Sequence, residues 1–399
     1  MNMLDRRELL KRMAATTVAC SLPGLTFGRA DTDARFVLVI LRGAMDGLAF
    51  APPYGDKDYA RTRGALALAA PGTDDGALKL DNLFGLHPSF KAVHDMYRRG
   101  EATLLHAVAS PYRERSHFDG QDVLENGALK AGDLRDGWLN RALASLGGSL
   151  GNERAIALSQ STPLILRGAQ SVTSWAPSAM PDANEDTLQR LADLYADDEF
   201  FRVRLQQALE AQAIAGDSDG MGRTRGNDAV RFEASMRQAA RFLSAGNGPQ
   251  IAVLESGGWD THANQGTFAG SLANRFTGLD TGLATLKNEL GDTWKNTVVV
   301  VATEFGRTVA VNGTRGTDHG TASAALLAGG SVRGGRVIAN WPGLSSSALY
   351  EGRDLYPTTD LRSLFKAVLT EHLGVPAERV EAEVFPDSDS AQPLENLLS

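Results

Sequence analysis

The chain has 399 residues and a formal net charge of −8, with 43% hydrophobic and 22% charged residues. A chain of this length and composition can bury a large core and has room for one large α/β domain or two ordinary ones. Nucleic acid is not expected as a partner, because that affinity rests on neutralised phosphates and the body of the chain has no Lys/Arg run. Cys20 is the single cysteine, which excludes intrachain disulfides and thiolate metal sites. Any metal must be held by carboxylates and imidazoles.

The first 30 residues predict an export signal. Arg6 and Arg7 stand just before a hydrophobic pair, and a moderately apolar, uncharged segment follows at 13–25. That segment is shorter than the about 20 apolar residues of a spanning helix, and paired arginines are typical of a twin-arginine signal. The alternative is an ordinary basic amphipathic helix. We expect the twin-arginine translocase to export a mature chain, residues 31–399, to the periplasm or the medium, without a transmembrane anchor.

Four continuous apolar runs predict the central sheet. They lie at 35–41, 102–109, 250–255 and 298–301. A half-exposed strand would alternate polar and apolar residues, so an unbroken run indicates a parallel strand buried on both faces. Residues 184–243 have a mainly helical pattern. We therefore expect one α/β domain over 31–399, with a helical insertion at about 184–245.

Polar side chains follow each of these runs, where the strands are predicted to end. They are Asp46 after the first run, Ser116 and His117 after the second, Asp260 and His262 after the third, and Glu304 after the fourth. Ligands of open α/β sheets bind outside the carboxyl ends of the strands, so these side chains are expected to converge. Carboxylates with imidazoles predict a divalent metal, zinc first, with manganese, iron or calcium as alternatives. For Asp46, a turn in which Asp-Gly only supplies favourable backbone geometry is an equal alternative.

The segment after the fourth run adds further candidates. Arg307 follows Glu304 by three residues, and Asp318 and His319 stand before an apolar segment of small residues at 322–328. Two acids, an arginine and an imidazole within one strand-loop unit make a candidate metal or anion site.

Ser116 is predicted to lie at or near a helix N-terminus, where free N–H groups and the macrodipole favour an anion. This position suits a hydroxyl nucleophile that attacks a phosphoryl or sulfuryl group, with Arg113 or Arg115 neutralising the equatorial oxygens. It equally suits a plain N-cap residue.

The leader and five motifs together resemble one bacterial family. The motifs are LRGAMDGL at 41–48, RSHF at 115–118, GWDTH at 258–262, TEFGRT at 303–308 and DHG at 318–320. The family consists of exported proteins of undetermined function in the alkaline phosphatase/sulfatase superfamily, and the resemblance covers essentially the whole mature chain. It implies an alkaline phosphatase-like fold, with a doubly wound, mostly parallel sheet, helices on both faces and metal ligands at strand ends.

The resemblance also implies roles for individual residues. Asp46 matches a metal-binding aspartate of the first strand, and Ser116 matches a nucleophile at a helix start. Asp260, His262 and His319 match the ligands of one metal.

One motif departs from the superfamily. Glu304-Phe305 stands where Asp-His is usual, so Phe305 replaces the histidine of a second metal. His117 or Asp318 could compensate as ligands; otherwise only one metal site is complete, or neither.

The expected function is an exported, metal-dependent hydrolase of phosphate or sulfate esters, acting on a small-molecule or polymeric anionic ester. Ser116 would attack phosphorus or sulfur, while Arg115 or Arg307 holds the non-bridging oxygens.

Two alternatives stay open. The Glu304-Phe305 departure favours a non-catalytic exported protein that keeps the fold and at most one structural metal. A metal-free serine hydrolase would pair Ser116 with His319, although adjacent Asp318 and His319 rarely orient each other as a triad requires.

Overall fold

The computed structural model describes residues 33–146, 153–176, 185–215 and 228–399. The predicted export signal and part of the predicted helical insertion lie outside these ranges. Within them, no helix is long and apolar enough to cross a membrane.

One mixed sheet forms the centre of the described residues. The strands are β1 (Arg35–Leu41), β2 (Leu78–Lys79), β3 (Gly85–Leu86), β4 (Ala102–Ala109), β5 (Ala155–Ala157), β6 (Thr173–Ser174), β7 (Ile251–Ser256), β8 (Thr297–Thr303), β9 (Ser323–Ala328), β10 (Arg336–Ile338) and β11 (Thr359–Asp360). Their order in the sheet is β10-β4-β9-β8-β1-β7-β5-β6, with β11 also paired to β4. β2 and β3 form a separate antiparallel ribbon.

Helices connect most of these strands. They are α1 (Gly47–Phe50), α2 (Tyr59–Arg63), α3 (Lys91–Arg98), α4 (His117–Asn126), α5 (Trp138–Leu146), α6 (Glu185–Leu194), α7 (Glu199–Ala215), α8 (Asp228–Ser244), α9 (Ser271–Leu290), α10 (Leu361–Ala367) and α11 (Ala377–Arg379). Short 3₁₀ segments lie at Gly64–Leu66, Leu164–Leu166 and Gly291–Asn296, and π-helical turns at Val368–His372 and Val380–Val384.

The sheet is mostly parallel, as predicted. β1 pairs in parallel with β7 and β8, and β7 pairs in parallel with β5. β9 departs from this pattern, because it runs antiparallel between β4 and β8. Its segment consists of serine, alanine and leucine and has none of the β-branched residues that favour strands. Its sequence therefore carries no strand signal.

A hydrophobic core on each side of the sheet explains the continuous apolar runs. Along β1, Val37, Val39 and Leu41 pack into one core with α3, α8 and α9. Phe36 and Ile40 pack into the other core with α5 and α10. Both faces of the strand are buried, so its sequence does not alternate. Helices on both faces were expected, and the structure has them.

The predicted helical insertion contains α6, α7 and α8 within the described residues. Phe232, Met236 and Phe242 of α8 belong to the same core as β1, so this helix is an integral part of the fold. Leu194 and Phe200, by contrast, are exposed. The bounds of the insertion stay a prediction.

One edge of the sheet collects most of the predicted site residues. The carboxyl ends of β1, β4, β7 and β8 lie at this edge, and antiparallel β9 begins there. The loops that leave or enter these strands carry Asp46, His117, Asp260, Glu304 and His319. The ends of four strands and the start of a fifth therefore place candidate site residues at the same edge of the sheet.

Candidate metal centre

Two histidines and an aspartate meet at this edge. Ligand atoms of His117, Asp260 and His319 all lie within 4.8 Å of one another. His117 is the first residue of α4, Asp260 lies in the loop after β7, and His319 precedes β9. Three separate segments of the chain thus supply this group.

His262 joins the group from the same loop as Asp260. Its Nε2 atom lies 3.0 Å from Asp260 Oδ1 and 3.0 Å from His319 Nε2. Asp260 Oδ1 lies 3.4 Å from His319 Nε2, and Asp260 Oδ2 lies 3.5 Å from His117 Nε2. Tetrahedral zinc, with bonds of about 2.0 to 2.1 Å to nitrogen, separates its ligand atoms by about 3.3 Å. The ligand atoms of His117, Asp260 and His319 are close enough to share one such ion, and His262 lies against two of these three side chains.

Each imidazole turns its Nε2 atom toward the centre and its Nδ1 atom toward an acceptor. Nδ1 lies 2.8 Å from Glu304 Oε1 in His117, 2.9 Å from the Arg115 carbonyl oxygen in His319, and 3.2 Å from Asp318 Oδ1 in His262. Carbonyl and carboxylate oxygens only accept hydrogen bonds, so Nδ1 carries a proton in all three rings. The Nε2 lone pairs then face the centre, as in metal-binding histidines whose other nitrogen is held by an acceptor.

Two features of the centre favour a cation between the rings. The Nε2 lone pairs of His262 and His319 face each other at 3.0 Å, which is repulsive unless a proton or metal ion lies between them. His117 Nε2 is buried and, among the described residues, has no hydrogen-bond partner. Leaving such a buried atom without a partner costs about 1 to 3 kcal/mol. Three imidazoles and one carboxylate fit zinc, whereas calcium takes roughly six to eight oxygen ligands and does not fit.

Arg307 holds Asp260 in its ionised form. The buried guanidinium of Arg307 donates from Nη1 to Asp260 Oδ1 at 2.6 Å. Partial burial acts to raise the pKa of Asp260, but the hydrogen bond and the charge of Arg307 outweigh it and keep that pKa below its usual value. Arg307 occupies Oδ1, so Oδ2, which faces His117, is the oxygen available to a metal.

Arg115, the other arginine predicted to bind an anion, is paired with carboxylates as well. Its Nε donates to Asp354 at 2.8 Å and its Nη2 to Glu351 at 2.5 Å. The backbone of Arg115 has a φ of 63°, which is uncommon for a residue other than glycine. The carbonyl of this residue is the one that accepts from His319 Nδ1. Arg115 therefore contributes to the centre through its backbone.

Glu304 is fully buried and lies behind His117. Its Oε1 also accepts from the N–H of Gly43 at 2.8 Å and from Gln121 Nε2 at 3.2 Å. Burial acts to raise the pKa of Glu304, but the hydrogen bonds, that of His117 first, hold it below its usual value. The same hydrogen bond raises the pKa of His117 against the effect of burial. Phe305 stacks on the His117 ring, with centroids 5.0 Å apart.

Asp46 has other partners. As the N-cap residue of α1, it accepts at Oδ1 from the N–H groups of Leu48 and Ala49, each at 3.1 Å. Its Oδ2 accepts from the buried guanidinium of Arg63 and from Gln265 Nε2 at 2.6 Å. Both oxygens of Asp46 are thus engaged by protein groups, and its metal-binding role stays a prediction. Neither Arg63, the last residue of α2, nor Gln265 carries a sequence signal that marks it.

Ser116 is the N-cap residue of α4, at a helix start as predicted. Its side chain makes no cap hydrogen bond, and its N–H donates to Tyr112 Oη at 3.0 Å. The hydroxyl is thus not engaged by the first turn of the helix. Asp318 is exposed at the rim, where its hydrogen bond from Asn312 Nδ2 at 3.0 Å lowers its pKa. The catalytic and metal-binding roles of these residues stay predictions.

Several solved structures of enzymes are similar to this chain, at low identity and low TM-scores. The PsFucS1 sulfatase from Pseudoalteromonas sp. is 14% identical, with a TM-score of 0.43, covering 100% of this chain and 77% of that one. The phosphonate monoester hydrolase of Agrobacterium radiobacter is 10% identical, with a TM-score of 0.39 and coverages of 86% and 74%. The lipoteichoic acid synthase LtaP from Listeria monocytogenes is 10% identical, with a TM-score of 0.37 and coverages of 88% and 74%. No curated protein matches the sequence.

One family model matches the sequence over residues 33–384. The matched range contains every strand that ends or begins at the centre and every candidate ligand described above. It confirms the family resemblance of the motifs. The chain belongs to the family described as Protein of unknown function (DUF1501).

Proposed function

We propose that this protein is an exported, zinc-dependent hydrolase of phosphate or sulfate esters. The observation that carries the proposal is the convergence of His117, Asp260 and His319, with His262 beside them and the Nδ1 atom of each imidazole held by an outer acceptor. Outer acceptors of this kind fix the ring orientation of metal-binding histidines and raise their basicity. Export is inferred from the leader alone.

The exposure of the centre favours catalysis. The side chains of Asp260 and His262 are 39% and 45% exposed, so a substrate can reach the ligand atoms from solvent. Structural zinc sites are closed, whereas catalytic sites keep a position open to water or substrate. The chain has a net negative charge and Arg307 is paired with Asp260, so a bound metal ion would be the main local attraction for an anionic ester.

The side chains have distinct parts in this proposal. His117 and His319 would hold zinc through Nε2 and Asp260 through Oδ2, with Arg307 keeping that carboxylate ionised. Three protein ligands leave a fourth position for water or substrate. Bound zinc would supply Lewis-acid polarisation of an ester oxygen. Ser116 lies beside His117 at the N-terminus of α4, where free N–H groups favour an anion. Its oxygen would bond to phosphorus or sulfur as the bond to the leaving alcohol breaks, and water would then hydrolyse the serine ester.

A non-catalytic metal protein is the second candidate. Both arginines predicted to bind an anion, Arg115 and Arg307, are paired with carboxylates. With His262 as a fourth ligand, the side chains would complete a tetrahedral coordination, as in structural zinc sites. This candidate predicts tight zinc binding without turnover.

Metal analysis tests the metal centre first. The purified protein should contain bound zinc, and His319→Ala and Asp260→Ala should lose it. His94→Ala is the matched control, because His94 lies away from the centre and its ring contacts the Lys79 carbonyl at 2.9 Å. Protein without metal, even after dialysis against zinc, would overturn the proposal.

An ester screen separates the two candidates. p-Nitrophenyl phosphate, bis(p-nitrophenyl) phosphate and p-nitrophenyl sulfate cover the monoester, diester and sulfate classes. Ser116→Ala should keep its zinc and its stability but lose the turnover of the preferred ester. Zinc binding with no turnover of any of the three would favour the non-catalytic protein. Undiminished turnover in Ser116→Ala would show that Ser116 is not the nucleophile.

A further inference from the structure

We propose that the centre binds a single metal ion, and that the buried guanidinium of Arg63 is the permanent counter-charge of Asp46 in place of a second ion. This inference rests on the proposed zinc centre and fixes its stoichiometry. Among the four acidic candidate ligands, Asp260 has an oxygen free for a metal, and Asp318 lies exposed at the rim with Oδ1 bonded to Asn312 and His262. Asp46 and Glu304 are buried and hydrogen-bonded at both oxygens.

The carboxylate of Asp46 has no acceptor position left. A carboxylate offers about four such positions on its two oxygens. Asp46 fills them with two backbone N–H groups on Oδ1 and with Arg63 and Gln265 on Oδ2. The residue is 1% exposed. No solvent contact exists that a metal ion could replace, and binding one would require breaking a buried ion pair.

Glu304 is also buried and hydrogen-bonded at both oxygens. Its Oε1 receives hydrogen bonds from His117, Gln121 and the N–H of Gly43, and its Oε2 receives one from Thr303 Oγ1 at 2.8 Å. The neighbouring Phe305 has no ligand atom, and its ring stacks on His117. The residues at the end of β8 therefore support a ligand and do not bind an ion themselves.

Arg63 is a fixed positive charge in this region. Its side chain is fully buried, and Nη1 donates to the carbonyl oxygens of Thr308 and Val309 at 3.2 and 3.1 Å. A guanidinium stays protonated in proteins, so the charge of Asp46 is always compensated. Asp260 keeps Oδ2 free beside its own arginine, whereas both oxygens of Asp46 are occupied, so a divalent ion would have to displace Arg63 or Gln265.

A buried chain of hydrogen bonds connects this ion pair to the centre. Gln265 donates to Asp46 and accepts at Oε1 from the hydroxyl of Thr317 at 2.8 Å. Thr317 Oγ1 in turn accepts from Arg307 Nε at 3.1 Å, and Arg307 donates to Asp260. Asp46 is thus a positioning residue, which acts on Asp260 through three side chains.

Metal stoichiometry tests the inference without any substitution. Purified protein and protein dialysed against excess zinc, then freed of loosely held ions by gel filtration, should both contain about one zinc per chain. X-ray absorption at the zinc edge should show imidazole ligands and no metal–metal distance of about 3.5 to 4 Å, the separation found in two-metal sites. Two equivalents or a metal–metal distance would overturn the inference and leave the proposed zinc hydrolase standing. Protein without zinc would overturn both.

Two matched variants locate the ion. Asp46→Asn should keep about one equivalent of zinc, whereas Asp260→Asn should lose it. Loss of an equivalent in folded Asp46→Asn would overturn the assignment of Asp46 as a positioning residue. Since Asp46 is buried beside Arg63, this variant could fail to fold, in which case the stoichiometry and absorption spectrum of the unsubstituted protein decide the question.

Discussion

The substitution Glu304→Gln tests whether His117 is a metal ligand. Glu304 is fully buried with Oε1 2.8 Å from His117 Nδ1, so the change removes a negative charge from behind the ring at nearly constant volume. Hydrogen bonds to a charged acceptor are roughly twice as strong as neutral ones. Replacing such a partner of a metal-binding histidine typically costs about 10- to 100-fold in metal affinity, or about 1.4 to 2.7 kcal/mol.

The same change also affects folding. The carboxylate accepts from four donors, among them the N–H of Gly43 and the hydroxyl of Thr303. A glutamine amide presents its own N–H groups to at least one of these donors, so a buried hydrogen bond is lost. The free energy of unfolding should fall by about 1 to 3 kcal/mol.

Zinc affinity is measured by competition with a chromophoric chelator, and unfolding by urea on the metal-free protein. Glu289→Gln is the control, because Glu289 is an exposed glutamate that pairs with Arg237 on the surface. A folded Glu304→Gln protein whose zinc affinity is within about twofold of that of the unsubstituted protein would refute the reasoning, because replacing the acceptor of a metal-binding histidine should lower the affinity by more than that.

Three further changes test the fold. Asp280→Ala removes the carboxylate that accepts from two N–H groups at the start of α3, at 3.0 and 2.8 Å, and should lower the urea-unfolding free energy by about 1 to 3 kcal/mol. Burial lowers the pKa of His106 to about 4, whereas the same imidazole in the unfolded chain binds a proton near pH 6.5. The free energy of unfolding should therefore fall by about 2 to 3 kcal/mol between about pH 7 and 4.5, and His106→Gln should remove that part of the pH dependence. Gly306→Ala should cost about 3 kcal/mol or more, because its Cβ would lie 1.8 Å from the Ala322 carbonyl oxygen.

Matched changes serve as controls. Asp95→Ala removes an exposed acid of α3 and should cost less than about 0.5 kcal/mol. Gly246→Ala should be tolerated, because no other atom lies within 4 Å of its Cβ position. An unchanged urea midpoint in Asp280→Ala, an unchanged pH dependence in His106→Gln, or a Gly306→Ala protein as stable as Gly246→Ala would contradict the respective contacts.

The central strands could be predicted because a strand buried on both faces has an unbroken run of apolar residues in its sequence. β1 and β8 are continuous apolar runs rich in valine and isoleucine, and each places side chains in both cores. β9 is equally buried, but its small residues suit a helix or a loop as well as a strand. The antiparallel direction of β9 is set by its pairing with β4 and β8, and this long-range pairing cannot be read from the residues of β9 alone.

The sequence indicated the candidate metal ligands better than it indicated the groups that hydrogen-bond to them. Acids and imidazoles after strands indicated where Asp260 and His319 would lie, and the sheet does bring them together. The partners come from elsewhere: Arg63 reaches Asp46 from the last position of the short helix α2, and the Arg115 carbonyl depends on one positive φ angle. Pairings of this kind depend on long-range geometry, so the sequence left the role of Asp46 undecided.

The position of β1 also determines when the centre can exist during synthesis. Phe36 pairs with Ile251 and Val298, more than 200 positions later in the chain. Contacts across such long loops slow folding, and an apolar strand without neighbours is prone to aggregate until they are made. The loops that carry the candidate ligands leave strands of this same sheet. A chain that ends before β8 would lack the strand that joins β1 to β9 and would lack His319, so the ribosome must pass position 319 before the metal centre can form.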